Sequence, residues 1–167
     1  VAMYKKANFA CIQIYFTRDG KIVDREHFIM DDSWNDNDNE IMTSFIKQFY
    51  LTTTYVPREI LVDNIPDDLD LLEGLLKDKM ERKVEIKKPL RGQKVDLLNL
   101  ASANAKKMME EFLQKRDERE RKKNLGLKML EKTLAITPID RIEAYDISNT
   151  SGVNSVGSMV VYEEGQK

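Results

Sequence analysis

The sequence predicts an α/β fold, in which helices flank a mixed β-sheet. Three observations support this class. An apolar run at residues 9–17 is followed by an Asp-Gly turn and a second β-type run, which is typical of a hairpin. Helical and β-type periodicities then alternate as far as residue 87. A long helical segment and a second hairpin follow them along the chain.

The composition is that of an ordinary globular protein. The 167 residues are 41% hydrophobic and 34% charged, which suffices for one full domain and part of another. No run approaches the roughly 20 apolar residues of a membrane span. The net charge of −2 gives no global attraction to nucleic acid, so a DNA contact would have to be local. The single Cys11 excludes an intramolecular disulfide and a cysteine-cluster zinc site. We therefore expect a cytoplasmic setting, without a membrane partner or a small-molecule substrate.

The first hairpin is predicted at residues 9–30. Its first strand, FACIQIYFT, is apolar on both faces apart from Gln13, which is typical of a central strand. The second strand is more polar and carries His27, which we interpret as a surface residue rather than a metal ligand. The acidic segment at residues 31–40 is interpreted as a solvated linker. The alternative, a calcium loop, would need a glycine that this segment lacks.

Helices and short strands alternate after the hairpin. Apolar residues recur at helical spacing over residues 40–50 and 68–80, which predicts two helices. EILVD at residues 59–63 and the run at residues 84–87 are predicted to be short strands, so the layer should contain a parallel portion. Asp63 is interpreted as a cap for the loop that follows its strand.

A long helix is predicted from residue 93 to about residue 124. It continues into nine charged residues at 115–123, six basic and three acidic, which we interpret as a solvated helix, with a DNA-binding face as the alternative. Gly126 is interpreted as a break in the helix. The apolar stripe of the first part is formed by residues spaced three and four apart, namely Leu97, Ala101, Ala105, Met108 and Phe112.

A basic stretch occupies residues 77–94. It contains no aromatic residue on which a base could stack, so at most it predicts an electrostatic track for the phosphates of duplex DNA. The candidate DNA-binding residues within it are Lys87, Lys88, Arg91 and Lys94.

The last hairpin carries the candidate metal ligand, Asp146. It is predicted from a strand at residues 142–148 and a second strand at 156–162. Alternation puts Asp146 on the face of Ile142 and Ala144, where an unpaired carboxylate would be costly to desolvate and a metal would remove the cost. The alternative is an ordinary surface or turn-capping aspartate. One carboxylate does not hold a catalytic metal pair, because metals roughly 4 Å apart need several oxygen ligands.

A carboxylate on a strand that is followed by an antiparallel strand is also how ribonuclease H-like nucleases begin their active site. We therefore predict a ribonuclease H-like mixed sheet with flanking helices, a long connecting helix and the first hairpin of a second ribonuclease H-like domain. The predicted domains are a catalytically silent domain at residues 1–92, a helical connector at 93–137 and the truncated nuclease domain at 138–167. The first domain would be silent because FACIQIYFT holds no carboxylate. Because a lone hairpin is marginally stable, we expect the chain to be a fragment of a longer protein.

Four stretches resemble the C subunits of the bacterial UvrABC excision nucleases. They occur in the order found in that family and are distributed along nearly the whole chain, from Phe9 to Lys167. The stretches are FACIQIYFTRDGKIVDREHF, the pair FIKQFY and PREILV, KKPLRGQKVDLLNLASANA, and IEAYDISNTSGVNSVGSMVVYEEGQK.

The resemblance implies a function in nucleotide excision repair. In that family the later nuclease domain makes the 5′ incision beside a lesion, using Mg²⁺ or Mn²⁺, and its first acidic ligand falls on Asp146 here. The implied partners are damaged double-stranded DNA and a UvrB-type subunit. The other ligands would lie beyond Lys167, so the fragment alone would be inactive. Many members read DISH where this chain has Asn149, a turn position at which we expect tolerance. The alternative function is a non-catalytic protein-interaction or DNA-docking module.

Overall fold

The computed structural model describes residues 1–31, 37–150 and 153–163, and the side chains of residues 149, 150 and 153–155 lie outside this description. Two compact units are present, Val1–Phe112 and Leu113–Lys167. The mixture of helices and small sheets confirms the predicted α/β class. The elements are β1 (Ala2–Lys6), β2 (Phe9–Arg18), β3 (Lys21–Asp31), α1 (Asp38–Thr52), β4 (Glu59–Leu61), α2 (Leu69–Met80), β5 (Glu85–Lys87), α3 (Gln93–Leu134), β6 (Arg141–Thr150) and β7 (Val153–Glu163).

β2 is the central strand of an antiparallel sheet with the order β1-β2-β3, as predicted. Asp19 and Gly20 connect β2 to β3 with φ angles of 50° and 73°, the positive values that a tight Asp-Gly turn requires. Gln13 is buried in β2, and its Nε2 donates to the carbonyls of Ile14 and Glu26 at 3.0 and 2.8 Å. These bonds satisfy a polar group inside the sheet.

β2 is buried on both faces. Its even-numbered residues, Ile12 and Ile14 among them, join the core formed with α1 and α2. On the opposite face Tyr15 packs against a smaller cluster that contains Leu98 and Ala101 of α3. The sheet therefore has helices on both sides, which explains why FACIQIYFT is apolar on both faces apart from Gln13.

β1 was missed by the sequence analysis, which took FACIQIYFT as the first strand. The segment AMYKK is short and ends in two lysines, so its pattern alone does not indicate a strand. Its strand conformation comes from the ladder with β2, in which Ala2 faces Gln13 and Lys6 faces Phe9. The true first strand also lacks a carboxylate. That the first unit is catalytically silent stays a prediction.

A second, parallel pair is formed by β4 and β5, in which Ile60 faces Ile86. It adjoins β1, because the Val1 nitrogen donates to the Leu61 carbonyl at 2.7 Å and the Met3 amide donates to Asp63 Oδ2 at 2.8 Å. The carboxylate of Asp63, interpreted above as a cap for its own loop, thus has its hydrogen-bond partner on another strand. Burial raises the pKa of Asp63, and the Met3 bond opposes that rise.

α1 begins with a capping box, in which Asn37 Oδ1 accepts from the amides of Asn39 and Glu40 while Glu40 Oε2 accepts from the Asn37 amide. Residues 37–40, interpreted above as linker, are therefore a helix start. The rest of that segment, residues 32–36, lies outside the described residues. The two helices face the core with Ile41, Met42, Phe45, Ile46 and Tyr50 of α1 and with Leu72 and Leu76 of α2.

α3 is one helix of 42 residues, so the predicted break at Gly126 is wrong. A single glycine costs about 1 kcal/mol in a helix, which the flanking helix formers offset. The buried stripe includes Leu98 and Met109 rather than the predicted Leu97 and Met108. The helix contributes to the first compact unit as far as Phe112, whereas residue 92 was the predicted boundary. The assignment of three domains stays a prediction.

In the second unit β6 and β7 form the predicted antiparallel hairpin. Residues 151–152 of its turn are outside the described part of the chain. Across the helices described here, none is at once long and apolar enough to span a membrane.

Candidate functional sites

Asp146 lies in the middle of β6, directly opposite Ser158 of β7. Ile142 and Ala144 share its face, as predicted from strand alternation. The expected desolvation is not found, because Asp146 is exposed. Its cross-strand neighbour Ser158 and its same-face neighbour Ala144 are small and exposed themselves. Asp146 therefore has no burial cost for a metal to offset, and a metal-ligand role for it rests on its position in the strand instead.

The described residues supply one carboxylate at this position rather than a complete metal site. No cluster of three or more histidine, cysteine, aspartate or glutamate side chains is found among them. Asp146 fits one ligand position of a divalent metal, since an exposed carboxylate on a paired strand is an oxygen donor of the kind that Mg²⁺ and Mn²⁺ prefer. His27 is exposed on β3 of the first unit, which confirms its interpretation as a surface residue.

The acidic residue closest to Asp146 within β6 is Glu143, and it is already bound. The Tyr145 hydroxyl donates to one of its oxygens, and Arg141 Nε donates to the other at 2.7 Å. The bonds from Tyr145 and Arg141 lower the pKa of Glu143. Arg141 also reaches Glu163 of β7 at 2.6 Å. Alternation puts this group on the opposite face from Asp146, so these side chains do not complete its coordination.

The basic stretch is less continuous than the sequence suggests. Lys79 Nζ donates to three carbonyls at the end of α1, those of Tyr50, Leu51 and Thr53. Arg82 Nη2 donates to the Val56 carbonyl at 2.5 Å. Both cations therefore hold backbone groups of the first unit, and neither is free for phosphate.

Two of the four candidate DNA-binding residues share one carboxylate. Lys94 lies 2.6 Å from Glu59 Oε2, and Lys87 forms an ion pair with the other oxygen of Glu59. Hydrogen bonds from Lys87 and Lys94 lower the pKa of Glu59, so it stays ionised beside them. In contrast, Lys88 and Arg91 are exposed and form no ion pair within the described ranges.

Glu85 neutralises part of the same stretch. It lies 2.6 Å from Lys83 and 3.5 Å from Lys87. Sequence reasoning missed the pairs of Glu59, because Glu59 lies on β4 whereas Lys87 lies on β5 and Lys94 on α3, and the contact with Lys87 depends on the parallel register of β4 with β5. The structure thus divides the four candidates into a paired set, Lys87 and Lys94, and an unpaired set, Lys88 and Arg91.

A cavity of about 410 Å³ in the first unit was also missed. Its walls include the aromatic residues Tyr15, Phe16, Tyr50 and Tyr55, with Glu59 at its border. These residues come from segments far apart in sequence, so no local pattern could have indicated the cavity. It contains no grouping of catalytic side chains.

Family models match both parts of the chain. Residues 1–112 match the UvrC Ribonuclease H-like domain, and residues 131–167 match the UvrC RNAse H endonuclease domain. No solved structure matches the chain.

Relatives of known name are similar along the full length of this chain. UvrABC system protein C of Finegoldia magna is 45% identical over 167 residues, which cover 100% of this chain and 28% of that protein. The same-named proteins of Clostridium acetobutylicum and Clostridium novyi are 41% and 45% identical over 99% of this chain and 27% of their own lengths. The chain thus spans about 28% of the length of the curated relatives it matches. The match to residues 1–112, about two thirds of the sequence, shows that the chain belongs to the family of UvrC ribonuclease H-like domains.

Proposed function

We propose that this chain is part of a nucleotide excision repair endonuclease subunit that incises damaged DNA. The observation that carries the proposal is an identity of 45% over the whole chain to a protein named UvrABC system protein C. The match of residues 131–167 to an endonuclease domain supports assigning the 5′ incision to the domain that begins at the second hairpin. The partners in this proposal are damaged double-stranded DNA and a UvrB-type subunit, in a cytoplasmic setting.

Asp146 would be one carboxylate ligand of Mg²⁺ or Mn²⁺ in the intact nuclease. Support comes from its place at the centre of a paired strand and from its exposed carboxylate, whose position the ladder with β7 fixes. A metal bound there would activate water and stabilise the leaving oxygen in phosphodiester hydrolysis. Asp146 alone does not provide the several ligands that this chemistry needs, so the chain by itself should not cut DNA.

The first unit would serve as a scaffold or docking domain rather than as a nuclease. Its first two strands, β1 and β2, hold no aspartate or glutamate. Asp63 and Glu59, the acids on and directly after β4, are engaged by Met3 and by lysines. The proposed chemistry therefore belongs to the second hairpin and to the residues that complete its domain.

The test is incision of a lesion-containing duplex by the intact parent protein with its repair partners. Asp146→Asn keeps the size of the side chain but removes the charge that a divalent metal requires. We expect it to lower the rate of the 5′ cut by at least about a hundredfold, by analogy with the loss of a catalytic group. A second cut, on the 3′ side of the lesion, is not assigned to this domain and should continue. The rate of each cut is read from end-labelled strands.

Asp140→Asn is the matched control, since it makes the same change at an exposed carboxylate just before β6. It should retain both cuts. If Asp146→Asn also retains the 5′ cut at the wild-type rate, Asp146 is not a ligand and the catalytic assignment of this hairpin fails. Circular dichroism of both variants checks that the fold is unchanged.

A second candidate function is a non-catalytic protein-interaction module. The exposure of large apolar side chains on the hairpin favours it, because Ile147 is 74% exposed and Tyr145 and Val156 are each 66% exposed. Retention of both cuts by Asp146→Asn, combined with loss of complex assembly by Ile147→Asp, would favour this alternative. Loss of the 5′ cut alone favours the nuclease.

A further inference from the structure

The loop between β5 and α3, residues 88–92, carries two positive charges that no acid in the described part of the chain neutralises. Lys88 and Arg91 are exposed at its two sides, and Leu90 between them is 90% exposed. Residues 83–94 hold five bases and a single acid, Glu85. When Glu59 is included, the five bases exceed the two acids by three positive charges. The whole chain, in contrast, has a net charge of −2.

Each end of this loop is held by a backbone hydrogen bond. Before the loop, the Lys87 carbonyl accepts from the Val62 amide at 3.0 Å. After it, the Gly92 carbonyl accepts from the Val95 amide at 2.9 Å at the start of α3. Gly92 has a φ of +77°, a conformation that side-chain-bearing residues rarely adopt. The path of the loop is therefore set before any ligand arrives.

Glu59 ties the two sides of the loop together. Its carboxylate binds Lys87 on one side and Lys94 on the other. These two lysines therefore position the loop, and the carboxylate of Glu59 offsets their positive charge. Of the four candidate DNA-binding residues, Lys88 and Arg91 are therefore the two that can gain a full new ion pair from a ligand without losing one that the described residues form.

We propose that the 88–92 loop docks on the phosphate backbone of duplex DNA through Lys88 and Arg91, with Leu90 contacting the duplex between them. A preformed loop loses little conformational entropy on binding, and each phosphate contact releases condensed counterions. The loop has no aromatic residue, so it is not suited to stacking on the bases of a single strand. The choice of DNA over an acidic protein surface rests on the proposed function. The surface differs from the predicted four-residue track, since Lys87 and Lys94 are assigned to positioning.

The test measures binding of the complete 167-residue chain to a short fluorescent duplex in EDTA, between about 50 and 200 mM salt. The double variant Lys88→Ala/Arg91→Ala should reduce the slope of log affinity against log salt by about 1.8, from two contacts of about 0.9 each. Leu90→Ser should weaken binding about threefold to tenfold and leave the slope unchanged, because its contact is apolar.

The matched control is Lys47→Ala/Lys77→Ala, which removes two exposed lysines from α1 and α2. It should leave the slope within error of the wild type. The proposal is overturned if both double variants change the slope equally, if the loop variant does not change it, or if the wild-type chain does not bind duplex at about 50 mM salt.

The two proposals fail separately. Binding in EDTA does not require incision, so Asp146→Asn should bind duplex like the wild-type chain. Loss of incision by Asp146→Asn in the parent protein, with no effect of the loop variant on binding, would overturn the loop proposal alone. Full incision by Asp146→Asn, with the slope changed only by the loop variant, would overturn the catalytic assignment alone.

Discussion

Cys11 shows how burial sets the chemistry of a single residue. It lies in β2, fully buried between β1 and β3, and burial raises the pKa of its thiol from 9.0 to about 11. The reactive form of cysteine is the thiolate, so this thiol should be inert in the folded chain. Because burial disfavours the charged thiolate, folding opposes ionisation of the Cys11 thiol.

We predict that alkylation of Cys11 at pH 8 is at least about a hundredfold slower in the folded chain than in denaturant, since a rise of two pKa units alone lowers the thiolate fraction by that factor. The free energy of unfolding should be independent of this group below pH 9. It should fall as the pH rises from 9 towards 11, because the unfolded chain releases the proton first. Iodoacetamide labelling and denaturant melts measure the two effects. A Cys11→Ala variant that shows the same decline would contradict the assignment.

The lysine and glutamate side chains around β4 and β5 mark the limit of residue-level prediction. The basic character of the stretch was evident in the sequence, as was the alternation that places Asp146 with Ile142. Which lysines are neutralised was not, because Glu59 is 35 residues from Lys94 and becomes its neighbour only through folding. Exposure of Asp146 likewise depends on what packs over the hairpin, which alternation does not reveal.

At the scale of elements, α1 depends on a cation from another helix. It has two acids in its first turn but no basic residue in its last turn. Lys79 of α2 supplies that charge. Its Nζ donates hydrogen bonds to the carbonyls of Tyr50 and Leu51 at 3.0 and 2.7 Å. A cation at a helix C-terminus interacts favourably with the helix dipole and satisfies carbonyls that lack helical partners.

Lys79→Met should lower the free energy of unfolding by about 1 kcal/mol, because it leaves these carbonyls to water and removes the charge near the helix end. Lys77→Met, on the same helix and also exposed, is the control and should change stability by less than about 0.5 kcal/mol. Urea denaturation monitored by circular dichroism compares them. Equal effects of the two substitutions would mean that Lys79 does not cap α1.

The sequence predicted correctly those elements whose conformation depends on their own residues rather than on distant contacts. The Asp19-Gly20 turn and the amphipathic helices α1 and α2 follow from residue type and spacing. β1 could not be predicted in the same way, because its identity as a strand depends on β2 and β4. The continuity of α3 through Gly126 depends on neighbours that outweigh one unfavourable residue.

At the scale of the whole molecule, the apolar core is concentrated in the first unit. All of the buried hydrophobic residues found in the described ranges lie between Val1 and Met109. In the second unit, large side chains such as Leu125, Met129 and Leu134 are more than half exposed. The two units should therefore differ in resistance to unfolding.

We predict that trypsin first cleaves this chain within residues 115–123, where α3 is exposed and rich in lysine and arginine. A resistant N-terminal product that contains the first unit should accumulate, since its cleavage requires unfolding of the core. Mass spectrometry of a digestion time course identifies the sites. First cleavage within residues 1–112 would show that the first unit is not the more stable part.

Among the described strands, β2 is bonded to a neighbour along both of its edges, while β3 pairs along one edge with β2. Deuterium can replace an amide proton in the centre of β2 only when the sheet separates, whereas amides on the open edge of β3 can exchange without that event. The slowest exchanging amides, such as that of Ile12, therefore report the global opening free energy of the first unit, even while the second unit fluctuates on its own.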